Sequence, residues 1–255
     1  MPDPRSPYPV RVWRYFAIGS LIVAGAVIAL VVFGRLSLKD RARIATRWNR
    51  LAARSLGVHL QVSGQTELPE RPVLMVANHV SWLDIPVVSA VRPVRFVSKD
   101  EVQAWPVMGW LATRTGTLYL NRSSGRAAHR MTATLASALQ DGQRVVIFPE
   151  GTTTDGSHVL PFKPMLLQAA IDAGACVVPI SLHYADHNGR PTRAAAFTGE
   201  MSFIDTLRNI VAARRLQAEV LLHAPIDSVG LDRNQLAAMT EAAIAAAVAE
   251  RQLED

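Results

Sequence analysis

The chain has 255 residues, of which 49% are hydrophobic and 19% are charged, and these proportions exclude a disordered or fibrous protein. The length suffices for one sizeable domain with additional sequence. The single cysteine, Cys176, excludes an internal disulfide framework and a zinc site built from cysteines, and its apolar surroundings predict a buried, unreactive thiol.

The net charge of +6 is unevenly distributed. Residues 1–56 contain ten basic and two acidic side chains, a net charge of +8, whereas the remaining residues contain 17 basic and 19 acidic side chains, a net charge of −2. Nucleic acid is therefore not expected as a partner, because a phosphate-binding footprint would spread over the folded domain. An anionic membrane surface is the expected partner of the N-terminal segment.

The first predicted element is an apolar helix at residues 16–33, a run of eighteen residues without a charge. A membrane-spanning helix needs roughly 20 mostly apolar residues, with about 17 as the lower limit. Trp13 and Tyr15 precede the run, where interfacial aromatic residues are expected. A secretory signal peptide fits less well because no small-x-small cleavage site follows, and a buried core helix fits less well because the flanks are basic.

The second predicted element is a basic amphipathic helix at residues 36–56. Next to a membrane segment, such a helix is expected on an anionic membrane surface, and the alternative is a surface helix that packs on the domain. The two helices form either a span followed by a surface helix or a hairpin that dips into one leaflet. If the first helix spans, the greater positive charge after it places the domain on the cytoplasmic side.

Residues 57–255 alternate short apolar runs with helical stretches, which predicts an α/β domain. The predicted strands are 59–62, 73–77, 95–97, 118–120, 144–148, 177–183, 196–198 and 219–223. The predicted helices are 84–91, 102–114, 124–140, 164–173, 204–214 and 232–253.

The stretch VANHVSWLDI, residues 76–85, follows a predicted buried strand and separates His79 from Asp84 by five positions. Ligand sites in open α/β sheets usually lie just beyond the carboxyl ends of strands. A histidine there can accept a proton near neutral pH, and a carboxylate bonded to its other nitrogen would fix its tautomer. The alternative is that Asp84 caps the next helix and His79 is a solvated loop residue. The spacing alone leaves both alternatives open.

Two further polar clusters follow predicted strands. Arg122 could bind a phosphate or carboxylate in bidentate fashion, or form a surface ion pair. Pro149, Glu150 and Gly151 open a threonine-rich turn whose N–H groups and hydroxyls could hold an anion or a substrate hydroxyl. Glu150 could orient a substrate or bond to the loop itself, and the alternative is an ordinary polar turn.

Four motifs follow one another along the chain. They are Asn78-His79-x-Ser81-Trp82-Leu83-Asp84, Gly116-x-x-Tyr119-x-Asn121-Arg122, Phe148-Pro149-Glu150-Gly151-Thr152 and Val178-Pro179-Ile180. Each motif alone is loose, but in this order the chain resembles the glycerolipid acyltransferases, typified by bacterial 1-acyl-glycerol-3-phosphate acyltransferase. The resemblance covers roughly residues 60–225.

The resemblance implies a mixed α/β sheet flanked by helices, with N-terminal membrane-associated helices. It implies acyl transfer from acyl-CoA or acyl-carrier protein to the hydroxyl of a lysolipid, foremost 1-acyl-sn-glycerol-3-phosphate to give phosphatidic acid, without a metal or bound cofactor. His79 then resembles the general base and Asp84 its orienting partner. The sequence contains no G-x-S-x-G elbow, and direct attack by the acceptor hydroxyl needs none. The implied acceptor-binding residues are Asn78, Ser81, Arg122, Glu150, Gly151, Thr152, Thr153 and Lys163.

One position departs from the family pattern. The family commonly reads FPEGTRS, whereas this chain reads FPEGTTT, so that Thr153 stands where an arginine often helps to bind the acceptor phosphate. A neutral hydroxyl there loses a charge-assisted contact of about 1.5–3 kcal/mol. Either Arg122, Lys163 or another arginine compensates, or the acceptor is a lyso-ornithine lipid, which resembling family members also acylate.

The alternative interpretations are a zinc site, a non-catalytic lipid-binding protein and a thioesterase. His183 and His187 have i,i+4 spacing, but they lie across a strand end and a turn, and H-E-x-x-H is absent, so a zinc site is not expected. A non-catalytic, membrane-anchored lipid-binding protein would not need His79 and Asp84. A membrane-anchored thioesterase would use water in place of the lipid hydroxyl. Acyl length, donor carrier and oligomeric state do not follow from the sequence.

Overall fold

The computed structural model of the protein describes residues 5–120 and 125–253. Within these residues, nine α-helices and eight strands form three layers, with helices on both faces of one mixed sheet. This architecture confirms the predicted α/β class.

Helices precede, separate and follow the strands along the chain. They are α1 (Tyr8–Val31), α2 (Leu38–Ser55), α3 (Asp84–Val91), α4 (Asp100–Gln103), α5 (Met108–Arg114), α6 (Gly125–Gln140), α7 (Gln168–Asp172), α8 (Phe203–Ala212) and α9 (Arg233–Leu253). Short 3-10 helices lie at Phe33–Arg35 and Pro164–Leu167. The strands are β1 (Val58–Gly64), β2 (Val73–Ala77), β3 (Arg95–Lys99), β4 (Leu118–Leu120), β5 (Val145–Ile147), β6 (Cys176–Ala185), β7 (Leu216–Leu222) and β8 (Ile226–Asp227).

The sheet has the order β1-β7-β6-β2-β5-β3-β4, and β8 pairs with the start of β6. β2 is parallel to both β5 and β6, and β3 is parallel to both β5 and β4. The carboxyl ends of these five strands therefore lie at one edge of the sheet. β7 is antiparallel to β6 and parallel to β1.

The central strand β2 is apolar at every position because helices cover both faces of the sheet. Val73, Met75 and Ala77 point into a core shared with α2, α3 and α8. Leu74 and Val76 point into a second core shared with α6, α7 and α9. This double burial fixes the carboxyl end of β2, from which His79 follows two residues later.

Helix α2 packs on the domain. Ser37 caps its first turn by accepting a hydrogen bond from the Asp40 N–H, 3.2 Å. The Asn49 amide donates to Ser89 Oγ of α3 at 2.8 Å, and the Arg50 guanidinium donates to the Ala90 carbonyl at 2.7 Å. One face of this basic helix therefore packs on the domain, and the contact of the helix with a membrane surface stays a prediction.

Helix α1 and the turn after it, Tyr8–Arg35, are long and apolar enough to cross a membrane, with 11% of the apolar stretch buried. Arg14 anchors the helix, since its guanidinium donates to the carbonyls of Val211 and Ala213 at 2.9 and 2.7 Å. These carbonyls lie at the C-terminal end of α8, where a positive charge is favourable. The Ser6 hydroxyl also donates to the Ala213 carbonyl, at 2.8 Å.

Some predicted elements are wrong. Residues 102–114 form two helices because Pro106 lacks an N–H and Val107 adopts a φ of 60°. Residues 196–198 are not a strand, since the Ala196 N–H donates to the Arg193 carbonyl in a turn and the Phe197 N–H donates to the Val80 carbonyl. Residues 164–173 divide into a 3-10 helix and α7, and β8 was not predicted.

Candidate active site

The predicted site residues gather at the edge formed by the carboxyl ends of β2 and β5. His79 follows β2, and Phe148 and Glu150 follow β5, which is the neighbouring strand. The Thr154 N–H donates to the His79 carbonyl at 2.8 Å, so the threonine-rich turn lies against the histidine. The structure therefore brings the first and third motifs together.

The Asp84 carboxylate is fully buried and accepts four hydrogen bonds. Oδ2 accepts from His79 Nδ1 at 2.7 Å, from the Val80 N–H at 2.7 Å and from the Ser81 N–H at 2.9 Å. Oδ1 accepts from the Tyr184 hydroxyl at 2.7 Å. A carboxylate held by backbone donors offers only acceptors, so Nδ1 of His79 carries the hydrogen and Nε2 is left to accept a proton.

The alternative of Asp84 as a helix N-cap is wrong. Asp84 is the first residue of α3, Leu83 occupies the N-cap position, and no side chain caps that end. The carboxylate instead accepts hydrogen bonds from the turn before the helix, namely from two backbone N–H groups and from the His79 imidazole. His79 is 20% exposed at its side chain, whereas Asp84 is 0% exposed, so the imidazole lies between solvent and a buried charge.

The Glu150 side chain also holds His79, through the backbone N–H of the histidine. One carboxylate oxygen accepts from the His79 N–H at 2.7 Å and the other from the Leu160 N–H at 2.9 Å. These contacts match the second predicted alternative, in which Glu150 bonds to the loop itself. Burial raises the pKa of the Glu150 carboxyl, although both hydrogen bonds act in the opposite direction.

An aromatic stack covers the histidine ring. The rings of His79 and Phe148 lie 4.1 Å apart between centroids at an angle of 18°, and Phe148 in turn stacks on Phe96 at 6.3 Å and 7°. The three rings thus follow the order of β2, β5 and β3 across the sheet.

The turn after Pro149 is held by backbone contacts. Gly151 has a φ of 74°, a conformation that favours glycine. The Thr153 hydroxyl donates to the Phe197 carbonyl, and the side chain of Thr152 is exposed. The Lys163 N–H donates to the Pro149 carbonyl at 3.0 Å, and Lys163 is exposed.

The remaining residues of the first motif are buried. The Asn78 amide donates to the Leu182 carbonyl at 3.0 Å and accepts from the Leu182 N–H at 2.7 Å, so it joins β2 to β6. The Ser81 hydroxyl is buried and has no hydrogen-bond partner among residues 5–120 and 125–253. Both side chains are enclosed by the fold and not presented on the surface.

Comparison with known proteins identifies the family. A model of the acyltransferase family matches residues 59–183. The chain is 39% identical to the lyso-ornithine lipid O-acyltransferase of Pseudomonas aeruginosa over 204 residues, 80% of this chain and 78% of that protein. It is 38% identical to the 1-acyl-sn-glycerol-3-phosphate acyltransferase of Neisseria gonorrhoeae over 215 residues, 83% of this chain and 82% of that protein. The chain belongs to the glycerolipid acyltransferase family.

The fold agrees with this assignment to the glycerolipid acyltransferases. The crystal structure of the 1-acyl-sn-glycerophosphate acyltransferase from Thermotoga maritima matches with a TM-score of 0.73, covering 94% of both chains at 23% identity. The likeness confirms the predicted fold. As a member of the family, the chain is an O-acyltransferase.

The predicted phosphate-binding residue Arg122 lies outside the described residues. His183 lies within β6 and His187 in the turn after it. Across residues 5–120 and 125–253, no group of three or more His, Cys, Asp or Glu side chains is arranged to hold a metal ion.

Sequence reasoning missed Tyr184, whose hydroxyl completes the hydrogen bonding of Asp84. Its signal was in β6, where residues 178, 180 and 182 are apolar and point into the same core as Tyr184. A tyrosine that ends a fully buried apolar face needs a partner for its hydroxyl. Burial, then the adjacent Asp84 carboxylate, raises the pKa of Tyr184 well above its usual value, so the hydroxyl remains a donor at neutral pH.

Proposed function

We propose that the protein transfers a fatty acyl chain from a thioester, acyl-CoA or acyl-carrier protein, to the free hydroxyl of a lysolipid. The observation that carries the proposal is the partly exposed His79 imidazole bonded at 2.7 Å to the fully buried Asp84 carboxylate. This pair supplies a general base whose tautomer is fixed.

The acceptor hydroxyl gives its proton to His79 Nε2, and its oxygen attacks the thioester carbonyl carbon. The tetrahedral intermediate then collapses, the carbon–sulfur bond breaks, and the leaving thiolate takes the proton from Nε2 to depart as a thiol. The products are an ester and a thiol, and the enzyme returns to its starting state. Asp84 stabilises the imidazolium in between, because its charge is held by four donors and cannot move away.

The acceptor that we propose first is 1-acyl-sn-glycerol-3-phosphate, and its product is phosphatidic acid. The four motifs support it. Lys163, an exposed residue whose N–H bonds to the Pro149 carbonyl, is one proposed cation for the acceptor phosphate. Arg122 is a second proposed cation.

The second candidate acceptor is a lyso-ornithine lipid, and the hydrogen bonding of the Thr153 side chain favours it. The Thr153 hydroxyl is engaged by the Phe197 carbonyl, so this position offers neither a charge nor a free donor to a phosphate. The relative from Pseudomonas aeruginosa is named for that acceptor.

We further propose that α1 lies in one leaflet of the cytoplasmic membrane, with the domain on its cytoplasmic side. One stripe of α1 faces the rest of the protein, with members three or four residues apart: Arg14, Ile18, Leu21, Gly25 and Ala29. Arg14 and Ile18 contact the domain, and Leu21 and Gly25 contact Trp48 of α2, which itself packs on the domain. The opposite stripe is apolar and exposed: Trp13, Phe16, Val23, Val27 and Leu30. A helix that packs on a domain along its length could not cross a bilayer without taking the domain with it.

Cysteine labelling tests this arrangement. With Cys176 replaced by serine, single cysteines at the exposed positions Tyr8 and Ser37 would stand at the start of α1 and after its end. In vesicles with the domain outside, an impermeant maleimide should label both positions. Labelling of Ser37→Cys alone would mean that the helix crosses the bilayer.

The purified enzyme should be given an acyl thioester with each acceptor in turn, lysophosphatidic acid and lyso-ornithine lipid. Ester formation on either acceptor supports the proposed reaction and identifies the substrate. Release of free fatty acid with neither acceptor consumed would establish the thioesterase instead. Binding of lysolipid with no turnover of the thioester would point to a lipid-binding protein.

A further inference from the structure

We propose that Phe148 is a positioning residue for the acyl transfer, because its ring fixes the plane of the His79 imidazole. The inference rests on the proposed role of His79 as the base. The two rings are nearly parallel, at 18°, with centroids 4.1 Å apart. A separation of 4.1 Å, shorter than the roughly 4.5–7 Å usual for aromatic pairs, puts the two rings in direct contact.

The hydrogen bond to Asp84 cannot determine the ring plane alone. It fixes the position of Nδ1, but the imidazole could still tilt about the Nδ1–Oδ2 line, and Nε2 would then move away from the acceptor hydroxyl. A flat surface against one face of the ring removes this freedom. Phe148 supplies that surface, and the 20% exposure of the His79 side chain leaves part of the ring open to substrate.

Phe148 is itself held in place. Its ring stacks on Phe96, which is buried in β3, at an angle of 7°. Two residues further along the same strand end, Glu150 accepts the His79 N–H. The end of β5 therefore holds His79 twice, at its backbone through Glu150 and at its ring through Phe148.

The stack also acts on the charge that develops during the reaction. When Nε2 takes the proton of the acceptor hydroxyl, the imidazole becomes a cation. The face of an aromatic ring attracts a cation. This attraction is stronger in the transition state than in the ground state, so its loss should lower kcat and kcat/KM equally and leave KM unchanged.

Three substitutions separate the ring contact from general packing. Phe148→Leu should lower kcat about ten- to a hundredfold at unchanged KM, since small displacements of a catalytic group are costly. Phe148→Tyr retains the aromatic face and should stay within about threefold of wild type. Phe96→Leu removes the ring behind Phe148 without touching the imidazole, so kcat should fall about threefold, well short of the loss in Phe148→Leu.

Equal losses in Phe148→Leu and Phe96→Leu would show a packing effect and overturn the proposal, as would a Phe148→Leu enzyme with wild-type kcat. A rise in KM without a change in kcat would overturn it too. Circular dichroism and thermal unfolding of each variant establish that the compared enzymes are folded.

Histidine-labelled wild-type protein gives a test that needs no active variant. Ring stacking should shift the carbon-bound ring protons of His79 upfield in the NMR spectrum, with the signals assigned by their loss in His79→Ala. Unshifted signals would overturn the stack whatever the activity of the enzyme. If the signals are shifted but His79→Ala remains fully active, the proposed function fails and the stack stands as geometry alone.

Discussion

Tyr184→Phe tests how Asp84 is held. The substitution removes the hydroxyl that donates to Asp84 Oδ1 at 2.7 Å and keeps the ring that fills the core. Tyr184 is 3% exposed and Asp84 is 0% exposed, so water cannot readily replace the lost donor. The carboxylate would keep the donors to Oδ2 and lose the one to Oδ1.

Hydrogen bonds to charged groups contribute about 1.5–3 kcal/mol, and the retained ring avoids a large cavity. We expect the free energy of unfolding to fall by that amount at pH 7. For a chain of this size the melting temperature falls about 2–4 °C per kcal/mol. Acyl transfer should fall less than about tenfold, because the bond from Asp84 to His79 is still present.

The ionisation of Tyr184 sets the sign with which the free energy of unfolding changes at alkaline pH. The folded protein raises the pKa of Tyr184 well above its usual value, through burial and the nearby Asp84 carboxylate. The contribution of this hydroxyl to stability is therefore complete below the unfolded pKa of about 10 and is lost as the pH rises towards the folded value. Above about pH 10 the wild type should lose stability more steeply than Tyr184→Phe.

Thermal and urea unfolding of the detergent-solubilised full chain, followed by circular dichroism between pH 7 and 11, measures both effects. A Tyr184→Phe protein within about 0.5 kcal/mol of wild type at pH 7 would refute the reasoning, because that is the range of neutral surface substitutions. Identical alkaline slopes for the two proteins would refute the argument from the pKa.

Further substitutions test other contacts. Glu150→Gln keeps only one acceptor oxygen for the N–H groups of His79 and Leu160, so kcat should fall about tenfold in a steady-state transfer assay; wild-type kcat would contradict this support role. Arg14→Leu removes the guanidinium that donates to the carbonyls of Val211 and Ala213, so limited trypsin digestion should cut between α1 and the domain sooner, and an unchanged digestion rate would disprove the anchor. Gly57→Ala should destabilise the folded protein by about 1–2 kcal/mol in thermal unfolding, because Gly57 has a φ of 80° and an added Cβ would overlap the Arg14 guanidinium; unchanged stability would contradict this.

Elements with strong local signals could be predicted to the residue. The strands Val73–Ala77 and Leu118–Leu120 and the helix Asp84–Val91 have the predicted bounds. The uninterrupted apolar run of β2 reflects burial on both faces, which a sequence displays directly.

Other elements depend on contacts that local sequence does not display. Residues 196–198 are apolar enough for a strand, but the Phe197 N–H bonds to the Val80 carbonyl in a loop. The break between α4 and α5 arises at Pro106 and Val107 within an otherwise helical pattern. Helix α2 resembles a membrane-surface helix by composition, yet it packs on α3 through Asn49 and Arg50.

The contacts of the candidate site likewise divide into those that one short stretch predicts and those that depend on strand order. The close pair His79 and Asp84 could be proposed from one short stretch, because five residues can place both groups at one turn. Tyr184 is 100 residues away from Asp84, and Phe148 reaches His79 only because β5 is adjacent to β2 in the sheet. Such contacts follow from strand order, which motif spacing alone does not determine.

The most direct test of the central claim is the rate of acyl transfer by purified His79→Ala. With a thioester donor and a lysolipid acceptor, we expect the rate to fall about 10²–10⁴-fold, the usual contribution of a general base, while circular dichroism shows a folded protein. The exposed histidine of α6 provides the matched control, since His129→Ala should retain wild-type activity. A folded His79→Ala enzyme that transfers acyl chains at nearly the wild-type rate would contradict the account.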